Sequence, residues 1–186
     1  MDLDIKFTVF IATSLDGYIA RKNGDLDWLP GADGESDNDS NGEDYGYYDH
    51  WQAIDTLVLG RNSFDTVMSF GQWPYMGKRV VILSHGQPNV PEELRDKIEI
   101  LSGTPQEIAL RLAHTGSKHV YIDGGLTIQA FLRAGLIHEL IVSVIPILIG
   151  QGIPLFGPLD YDIELQLLEL KSFPNGIVQY KYRIDH

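Results

Sequence analysis

The chain has 186 residues, a net charge of −12 and 44% hydrophobic residues, enough for a folded core and too many for a disordered chain. No apolar run reaches the roughly 20 residues of a membrane-spanning helix, and so acidic a surface repels nucleic acid and anionic membranes. The absence of cysteine excludes disulfides and thiolate metal sites. Because Met1–Asp4 lacks the basic start of a signal peptide, we expect a cytoplasmic location.

The first half of the chain predicts strands alternating with helices. β-branched and aromatic residues over Lys6–Thr13 indicate a buried strand, which Ser14–Gly17 ends. The elements predicted after it are a short strand at Tyr18–Ala20, a polar loop at Gly31–Gly46, a helix near Asp44–Gln52, a strand at Thr56–Gly60, a helix at Arg61–Met68 and a strand at Arg79–Leu83.

The second half continues this alternation and ends in a hairpin. Thr104, Pro105 and Glu107 form a capping box that begins a helix running to about Thr115, with Gly116 as its stop. There follow a strand at His119–Ile122, a helix at Thr127–Ala134, and strands at Glu139–Ile145, Ile163–Leu170 and Val178–Ile184, the last two joined by the turn signal Pro174–Gly176. The order predicts one α/β domain over residues 1–186, with a mostly parallel, helix-flanked sheet and a C-terminal antiparallel β-hairpin.

Several well-known motifs are missing. The chain has no G-x-G-x-x-G and no P-loop, and it has neither a G-x-S-x-G elbow nor an H-E-x-x-H zinc helix. Its six histidines are scattered without the spacing of metal ligands, so we expect no metal.

The first strand-to-helix junction that could bind a ligand is the segment Leu59–Ser63. Gly60 lets the backbone approach a ligand, and the following helix offers unpaired N–H groups to an anion. Arg61 adds a guanidinium that can clamp a phosphate, and Ser63 adds a hydroxyl. Taken alone, a tight turn with a solvated arginine is the simpler interpretation.

The second junction is Tyr121–Thr127, where Gly124 and Gly125 stand between a strand and a helix. Paired glycines at such a point suit a pyrophosphate over the helix N-terminus. A Gly-Gly turn that only allows close packing of helix and sheet explains them equally well. Two such junctions in one small chain favour a dinucleotide.

The order of the motifs resembles the dihydrofolate reductase superfamily, in particular the branch that includes the C-terminal reductase domain of the bifunctional riboflavin-biosynthesis deaminase-reductase. The matching segments are Phe10–Ala20, Gly24–Leu29, Leu57–Ser63, Val80–Ser84, Val120–Gly125 and Pro146–Phe156. The resemblance implies a dihydrofolate-reductase-like fold, a small-molecule substrate and a homodimer.

The same resemblance implies an NADPH site. Its cofactor residues would be Ala12 and Ile19 beside the nicotinamide, Gly60, Arg61 and Ser63 at the phosphates with Arg61 near the 2′-phosphate, Leu83 and Ser84 beside the adenosine, and Gly124, Gly125, Leu126 and Thr127 at the pyrophosphate. Its substrate residues would be Trp28, in the closing loop Gly24–Trp28, together with Tyr48 and Ser143.

Two carboxylates are candidates for the catalytic group. Counted back from Gly60 without a gap, Asp44 falls where dihydrofolate reductases carry the helix carboxylate that orients the ring and promotes its protonation. The alternative is a solvated residue of an acidic stretch. Asp16 either caps a turn, which we favour, or contacts substrate.

These observations predict an NADPH-dependent reductase that transfers hydride to a small, pteridine- or pyrimidine-like nitrogen heterocycle. One alternative is the 5-amino-6-(5-phosphoribosylamino)uracil reductase of riboflavin biosynthesis. Against it, Phe10–Ala12 lacks the lysine usual in that branch and Tyr18 stands where another basic residue is expected, which argues against a phosphorylated substrate. The other alternative is a non-catalytic nucleotide- or pterin-binding protein of the same fold.

Overall fold

The computed structural model describes residues 4–30 and 43–185. Most of the predicted loop Gly31–Gly46 therefore lies outside the described residues. The elements, in chain order, are β1 (Lys6–Ser14), β2 (Tyr18–Ala20), α1 (Tyr47–Ala53), β3 (Thr56–Gly60), α2 (Arg61–Ser69), β4 (Arg79–Leu83), a 3-10 turn (Glu92–Leu94), β5 (Ile98–Leu101), α3 (Pro105–His114), β6 (His119–Asp123), α4 (Gly125–Arg133), β7 (Glu139–Ile145), β8 (Ile153–Pro154), β9 (Leu165–Ser172) and β10 (Val178–Ile184).

Eight strands form one sheet in the order β5-β4-β3-β6-β1-β7-β10-β9. The six strands from β5 to β7 are mutually parallel, whereas β10 runs antiparallel to both β7 and β9. The predicted α/β class, parallel sheet and antiparallel C-terminal hairpin are confirmed. A separate two-stranded pair joins β2 to β8.

Helices cover both faces of the parallel part, which explains why its strands are apolar nearly throughout. On one face Phe7, Val9 and Ile122 pack against Ile108 of α3 and Phe131 of α4, and all five are almost fully buried. The other face carries two clusters. They centre on Leu57, Leu59 and Val80 in one case, and on Phe64 and Ile82 in the other.

Several elements differ from the sequence prediction. Strands β5 and β8 were not predicted, and α1 begins at Tyr47, three residues later than expected. Helix α4 begins two residues earlier, at Gly125, and β9 is displaced by two residues to Leu165–Ser172. Every residue of β9 is exposed, and its pairing with β10 shifts register between Lys181 and Tyr182, which interrupts the alternation of its side chains.

The parallel arrangement brings the carboxyl ends of β1, β3, β4 and β6 to one edge of the sheet. Helices α2 and α4 start directly at the ends of β3 and β6, which are neighbours. Ligands of open α/β sheets bind at this edge. No helix of the described segments is long and apolar enough to cross a membrane.

Candidate active site

A cleft of about 1120 Å³ opens at the carboxyl edge of the sheet. Sites for one small ligand usually enclose about 300–1,000 Å³, so this cleft has room for an extended ligand and a second ring. It is lined by all eleven residues predicted to bind the cofactor, which are Ala12, Ile19, Gly60, Arg61, Ser63, Leu83, Ser84, Gly124, Gly125, Leu126 and Thr127.

The two glycine junctions pack against each other at the centre of the cleft. A Cβ added to Gly60 would lie 2.6 Å from Oγ1 of Thr127, and one added to Gly124 would lie 2.3 Å from Oγ of Ser63. Gly124 also has a φ of +92°, in the region that L side chains rarely adopt. Each junction therefore needs glycine because the first turn of the other junction's helix occupies the space.

Both helices present free N–H groups to this cradle. Within the described residues, no side chain caps α2 or α4, whose N-cap residues are Gly60 and Gly124. Helix α3, by contrast, has its own capping box, in which Thr104 and Glu107 satisfy the first N–H groups. An uncapped N-terminus is a binding site for a phosphate group, since its N–H groups and dipole both favour an anion. The cradle thus fits a pyrophosphate.

Arg61 stands at the outer end of the cleft, at the start of α2. Its Nε donates to Asp65, with Nε and Oδ2 2.7 Å apart, and its side chain is 39% exposed. This hydrogen bond uses Nε, and the two terminal nitrogens of the guanidinium carry further donors. Ser84 and His85, which follow the neighbouring strand β4, line the same end of the cleft.

The nicotinamide side of the predicted site is apolar. Ala12 of β1 and Ile19 of β2 line the cleft there. A Cβ on Gly125 would come within 2.7 Å of Cδ1 of Ile19. The second junction therefore reaches from the predicted pyrophosphate position to the predicted nicotinamide position.

Asp44 and Asp16, the two predicted catalytic carboxylates, do not line the cleft. Asp44 is exposed and accepts from the backbone N–H groups of Gly46 at 2.9 Å and Tyr48 at 2.8 Å, on either side of the first residue of α1. These bonds, with that to Gly46 the stronger, lower the pKa of Asp44. The structure gives Asp44 the surroundings of a helix cap rather than of a buried ring-binding group.

Asp16 connects two loops through hydrogen bonds. Its Oδ1 accepts from the Ser14 hydroxyl at 2.6 Å, and its carboxylate accepts from the N–H groups of Ile149 and Gly150 at 3.2 and 2.7 Å. The Ser14 bond is the largest cause of its lowered pKa. Asp16 thereby ties the β1–β2 turn to the segment after β7, in accordance with the turn-capping interpretation.

The predicted substrate residues Trp28, Tyr48 and Ser143 also lie outside the cleft lining. Trp28 is buried against Ile145 and Ile177, and Tyr48 is 64% exposed on α1. Ser143 is buried and accepts a hydrogen bond of 2.9 Å from the Gln179 amide. Of the predicted closing loop, Gly24 and Leu26 do line the cleft.

Sequence reasoning missed a polar group inside the cleft. Asp123, the last residue of β6, lines it together with Tyr47, Tyr75 and Tyr121. Burial raises the pKa of Asp123 to about 6, opposed by a hydrogen bond from the Gly124 N–H. The signal was present in the sequence, since Asp123 stands between a predicted strand and the glycine pair.

The tyrosines are held by aromatic contacts and one strong hydrogen bond. The Tyr121 hydroxyl donates to the Phe10 carbonyl at 2.7 Å. Burial, and after it the charge of Asp123, raises the pKa of Tyr47 to about 12 and that of Tyr75 further. All three phenols therefore stay neutral near Asp123. No group of three or more potential metal-ligating side chains occurs in the described part of the chain.

Comparison with known proteins identifies the relatives of this chain. A family model described as the RibD C-terminal domain matches residues 6–179. The uncharacterized protein YwjB of Bacillus subtilis (strain 168) is 31% identical over 177 residues, which cover 94% of this chain and 96% of YwjB.

Solved structures also resemble this chain. A putative riboflavin biosynthesis protein from Shewanella sp. PV-4 superposes with a TM-score of 0.88 at 39% identity, covering 98% of this chain and 100% of that one. Dihydrofolate reductase from Enterococcus faecalis, complexed with NADP(H), has a TM-score of 0.68 at 15% identity, with 99% and 98% coverage. The second match concerns the fold alone, which is dihydrofolate-reductase-like as the sequence predicted.

Proposed function

Because this chain belongs to the RibD C-terminal domain family, we propose that it is an NADPH-dependent reductase of a small nitrogen heterocycle. NADPH supplies a hydride when bound, and the protein supplies position, exclusion of water and polar groups. The cradle formed by the junctions at Gly60 and Gly124 carries the proposal, because two uncapped helices meet there over glycines that their contacts require.

The direct test has two steps. Titration with NADPH, followed by protein fluorescence, measures cofactor binding. A panel of oxidised pteridines, pyrimidines and flavins is then assayed by the loss of NADPH absorbance at about 340 nm, the band of the reduced nicotinamide that donates the hydride. Absence of NADPH binding contradicts the proposed function. Binding without oxidation of any compound favours the non-catalytic alternative.

Cofactor choice provides a first prediction. Arg61→Ala is expected to weaken NADPH binding about ten-fold or more and to leave NADH binding nearly unchanged. The reason is that a lost charge-assisted contact costs about 1.5–3 kcal/mol, and the 2′-phosphate is present only in NADPH. The measurement is Kd for both cofactors. Asp65→Asn is the companion variant, and it should strengthen NADPH binding by freeing the Arg61 Nε. Equal losses for the two cofactors in Arg61→Ala would locate Arg61 away from the 2′-phosphate.

The riboflavin-pathway alternative keeps support from the family and from the Shewanella relative. A specific observation weighs against its phosphorylated substrate. The basic side chains that line the described part of the cleft are Arg61, Lys22 and His85. Arg61 and His85 flank the predicted adenosine end, and Lys22 donates to Gln151. Reduction of a ribosylaminopyrimidine carrying a phosphate, in preference to phosphate-free rings, would favour the alternative.

We further propose that the protein is a homodimer formed through the β9–β10 face. Across these strands Leu170 pairs with Tyr180, Leu167 with Tyr182 and Leu165 with Ile184, so these six side chains share one face. The leucines of this face are 43–57% exposed. Opposite-face pairs such as Glu169 with Lys181 are charged. Ile184 is buried in the core and Tyr182 packs against it, so the exposed part of this face is the row of β9 leucines. An exposed apolar row is typical of a surface that a partner covers, and a second copy offers an identical row.

The dimer prediction is tested by changing one leucine. Leu167→Glu is expected to weaken dimerisation at least ten-fold, since a buried leucine contributes about 1.5–3 kcal/mol and the charge must be desolvated. Gln166→Glu is the matched control, because this neighbour lies on the opposite face beside Arg183. Light scattering coupled to size exclusion measures the mass of each. A wild-type monomer at micromolar concentration would contradict the proposal.

A further inference from the structure

Tyr45 has a backbone conformation that is unusual for its residue type. Its φ is +56°, and within residues 4–30 and 43–185 it is the one non-glycine residue with a positive φ. L side chains rarely adopt this left-handed region, and such a conformation persists only where the surrounding structure holds it. Gly46 is also left-handed, with a φ of +83°, and α1 begins directly after it. The conformation of Tyr45 therefore determines how the chain enters α1.

The hairpin formed by β9, β10 and the turn between them makes three contacts with Tyr45. The Tyr45 ring lies edge to face with the Phe173 ring, with centroids 4.8 Å apart. The Tyr45 hydroxyl accepts from Nδ2 of Asn175 at 2.7 Å, and its backbone carbonyl accepts from Nε2 of Gln179 at 2.9 Å. Both the side chain and the backbone of Tyr45 are thus bound to the hairpin, which gives a left-handed residue the support that it needs.

The Gln179 amide connects this contact to the strands beside the cleft. Gln179 is 6% exposed, and its Nε2 also donates to Oγ of Ser143 at 2.9 Å. Ser143 lies in β7 opposite Ala12 of β1, and Ala12 lines the cleft. Hydrogen bonds between buried polar groups make their positions well defined. Tyr45 is therefore held by a rigid part of the sheet that adjoins the cleft.

Helix α1 depends on this entry because it is short. It has seven residues, and a helix of this length is not stable in water without tertiary contacts. Its first residue, Tyr47, lines the cleft, with its ring edge to face with that of Phe10 at 5.5 Å. Because only Gly46 separates Tyr45 from Tyr47, a change in the backbone angles of Tyr45 must move the start of α1.

We propose that Tyr45 is a positioning residue, and that the β9–β10 hairpin, by holding it in the left-handed conformation, fixes α1 and the Tyr47 ring in the cleft for the substrate. The part that concerns the substrate rests on the proposed reductase function. Tyr45 does not line the cleft itself, so it acts through α1. Without the hairpin contacts α1 occupies its position for only a fraction of the time. The KM of the substrate then rises in inverse proportion to that fraction, whereas the turnover of bound substrate is unchanged.

Amide hydrogen exchange and fluorine NMR test the anchoring on the full chain without ligand. In Tyr45→Ala the amides of α1 are expected to exchange about ten-fold faster than in the wild type, while those of α3 keep their rates. Labelling with 3-fluorotyrosine reports on the Tyr47 ring, whose resonance is identified by its absence in Tyr47→Phe. In Tyr45→Ala this resonance should move towards the frequency of a solvent-exposed tyrosine.

Three further variants separate the possible causes. Tyr45→Phe keeps the ring contact and loses only the hydroxyl, so α1 should exchange about three-fold faster, less than in Tyr45→Ala. Tyr45→Gly adopts the left-handed conformation without strain, yet it lacks the side-chain contacts with the hairpin and should exchange as fast as Tyr45→Ala. Tyr161→Ala is the matched control, because Tyr161 is exposed and lies away from the cleft lining. It should match the wild type in every measurement.

The effect on the substrate is measured with the first oxidised pteridine, pyrimidine or flavin that the wild type reduces. Tyr45→Ala should raise the KM of this compound about ten-fold and leave kcat within about two-fold. The Kd of NADPH should be close to that of the wild type, because the glycine cradle is formed by other segments of the chain.

Unchanged α1 exchange in Tyr45→Ala, or wild-type exchange in Tyr45→Gly, would overturn the proposal. An equal rise in α1 and α3 would also overturn it, since Tyr45 would then contribute only to the stability of the whole fold. A rise confined to α1, together with an unchanged KM, would contradict the role towards the substrate. If the wild type reduces no compound, the reductase function fails, and the exchange of α1 alone decides whether Tyr45 anchors this helix.

Discussion

Gly124→Val is expected to abolish NADPH binding, with at least a hundred-fold increase in Kd. The new side chain has no room, because a Cβ at this position would already lie 2.3 Å from Oγ of Ser63. Either the end of β6 or the first turn of α2 must move, and both supply N–H groups to the same cradle. Fluorescence titration with NADPH measures the loss, and circular dichroism establishes that the variant is folded.

Gly116→Val is the matched control for backbone strain. Gly116 has a φ of +93°, almost equal to the +92° of Gly124, but a Cβ there meets nothing within 4 Å. Both variants therefore have a similar conformational cost, of order 1–3 kcal/mol. Only Gly124→Val also places a side chain in the cleft. Gly116→Val should bind NADPH as the wild type does. A folded Gly124→Val protein with normal NADPH affinity would remove this junction from the cofactor site.

The glycine cradle was predictable because its requirements are local. A glycine between a strand and a helix is visible in one sequence, as at Gly60 and Gly124, and the two occurrences together favour a pair of anion-binding helix starts. The pairing of the two junctions was not visible. It follows from β3 lying beside β6 in the sheet, although α2, β4, the 3-10 turn, β5 and α3 separate these strands along the chain.

The part of the cleft lined by Asp123 and the tyrosines was less predictable because segments distant along the chain build it. Tyr47, Tyr75 and Asp123 come from three separate regions and meet only at the sheet edge. The prediction for Asp44 relied on an ungapped count from Gly60 across the turn that precedes α1. In the structure Asp44 instead satisfies N–H groups at that turn, a common use of aspartate before a helix.

The strands of the sheet also differ in how well the sequence predicted them. Strands with continuous β-branched residues, such as β1 and β4, were predicted within one or two residues. Strand β5 has only four residues and follows a charged segment, so periodicity gave it no signal. Its place is fixed by pairing with β4, in which Ile100 lies opposite Ile82.

One buried histidine lies outside the cleft lining. His50 of α1 is 7% exposed, and its ring lies 5.1 Å from that of Phe10 and 4.8 Å from that of Tyr121. Its Nε2 has no hydrogen-bond partner within the described structure. Burial, and after it the nearby His119, lowers the pKa of His50 from 6.5 to about 4. The folded protein therefore holds this imidazole neutral.

Acidification is expected to destabilise the protein through His50. As pH falls below 6.5 the unfolded chain takes up a proton that folded His50 does not accept until about pH 4. Stability is thus fully present above pH 6.5 and falls by about 3 kcal/mol on the way to pH 4. Urea unfolding of the wild type and of His50→Phe, at pH 7.5 and 4.5, measures the difference. Phenylalanine keeps the ring contacts and removes the titration.

His50→Phe should consequently lose less stability between these two pH values than the wild type does. His119 and the carboxylates are common to both proteins, so their contributions largely cancel in the comparison. His114→Asn, which changes an exposed histidine at the end of α3, should retain the full loss of the wild type. If His50→Phe and the wild type lose the same free energy of unfolding on acidification, His50 gains a proton in the folded state as easily as in the unfolded chain, and α1 must open to admit it.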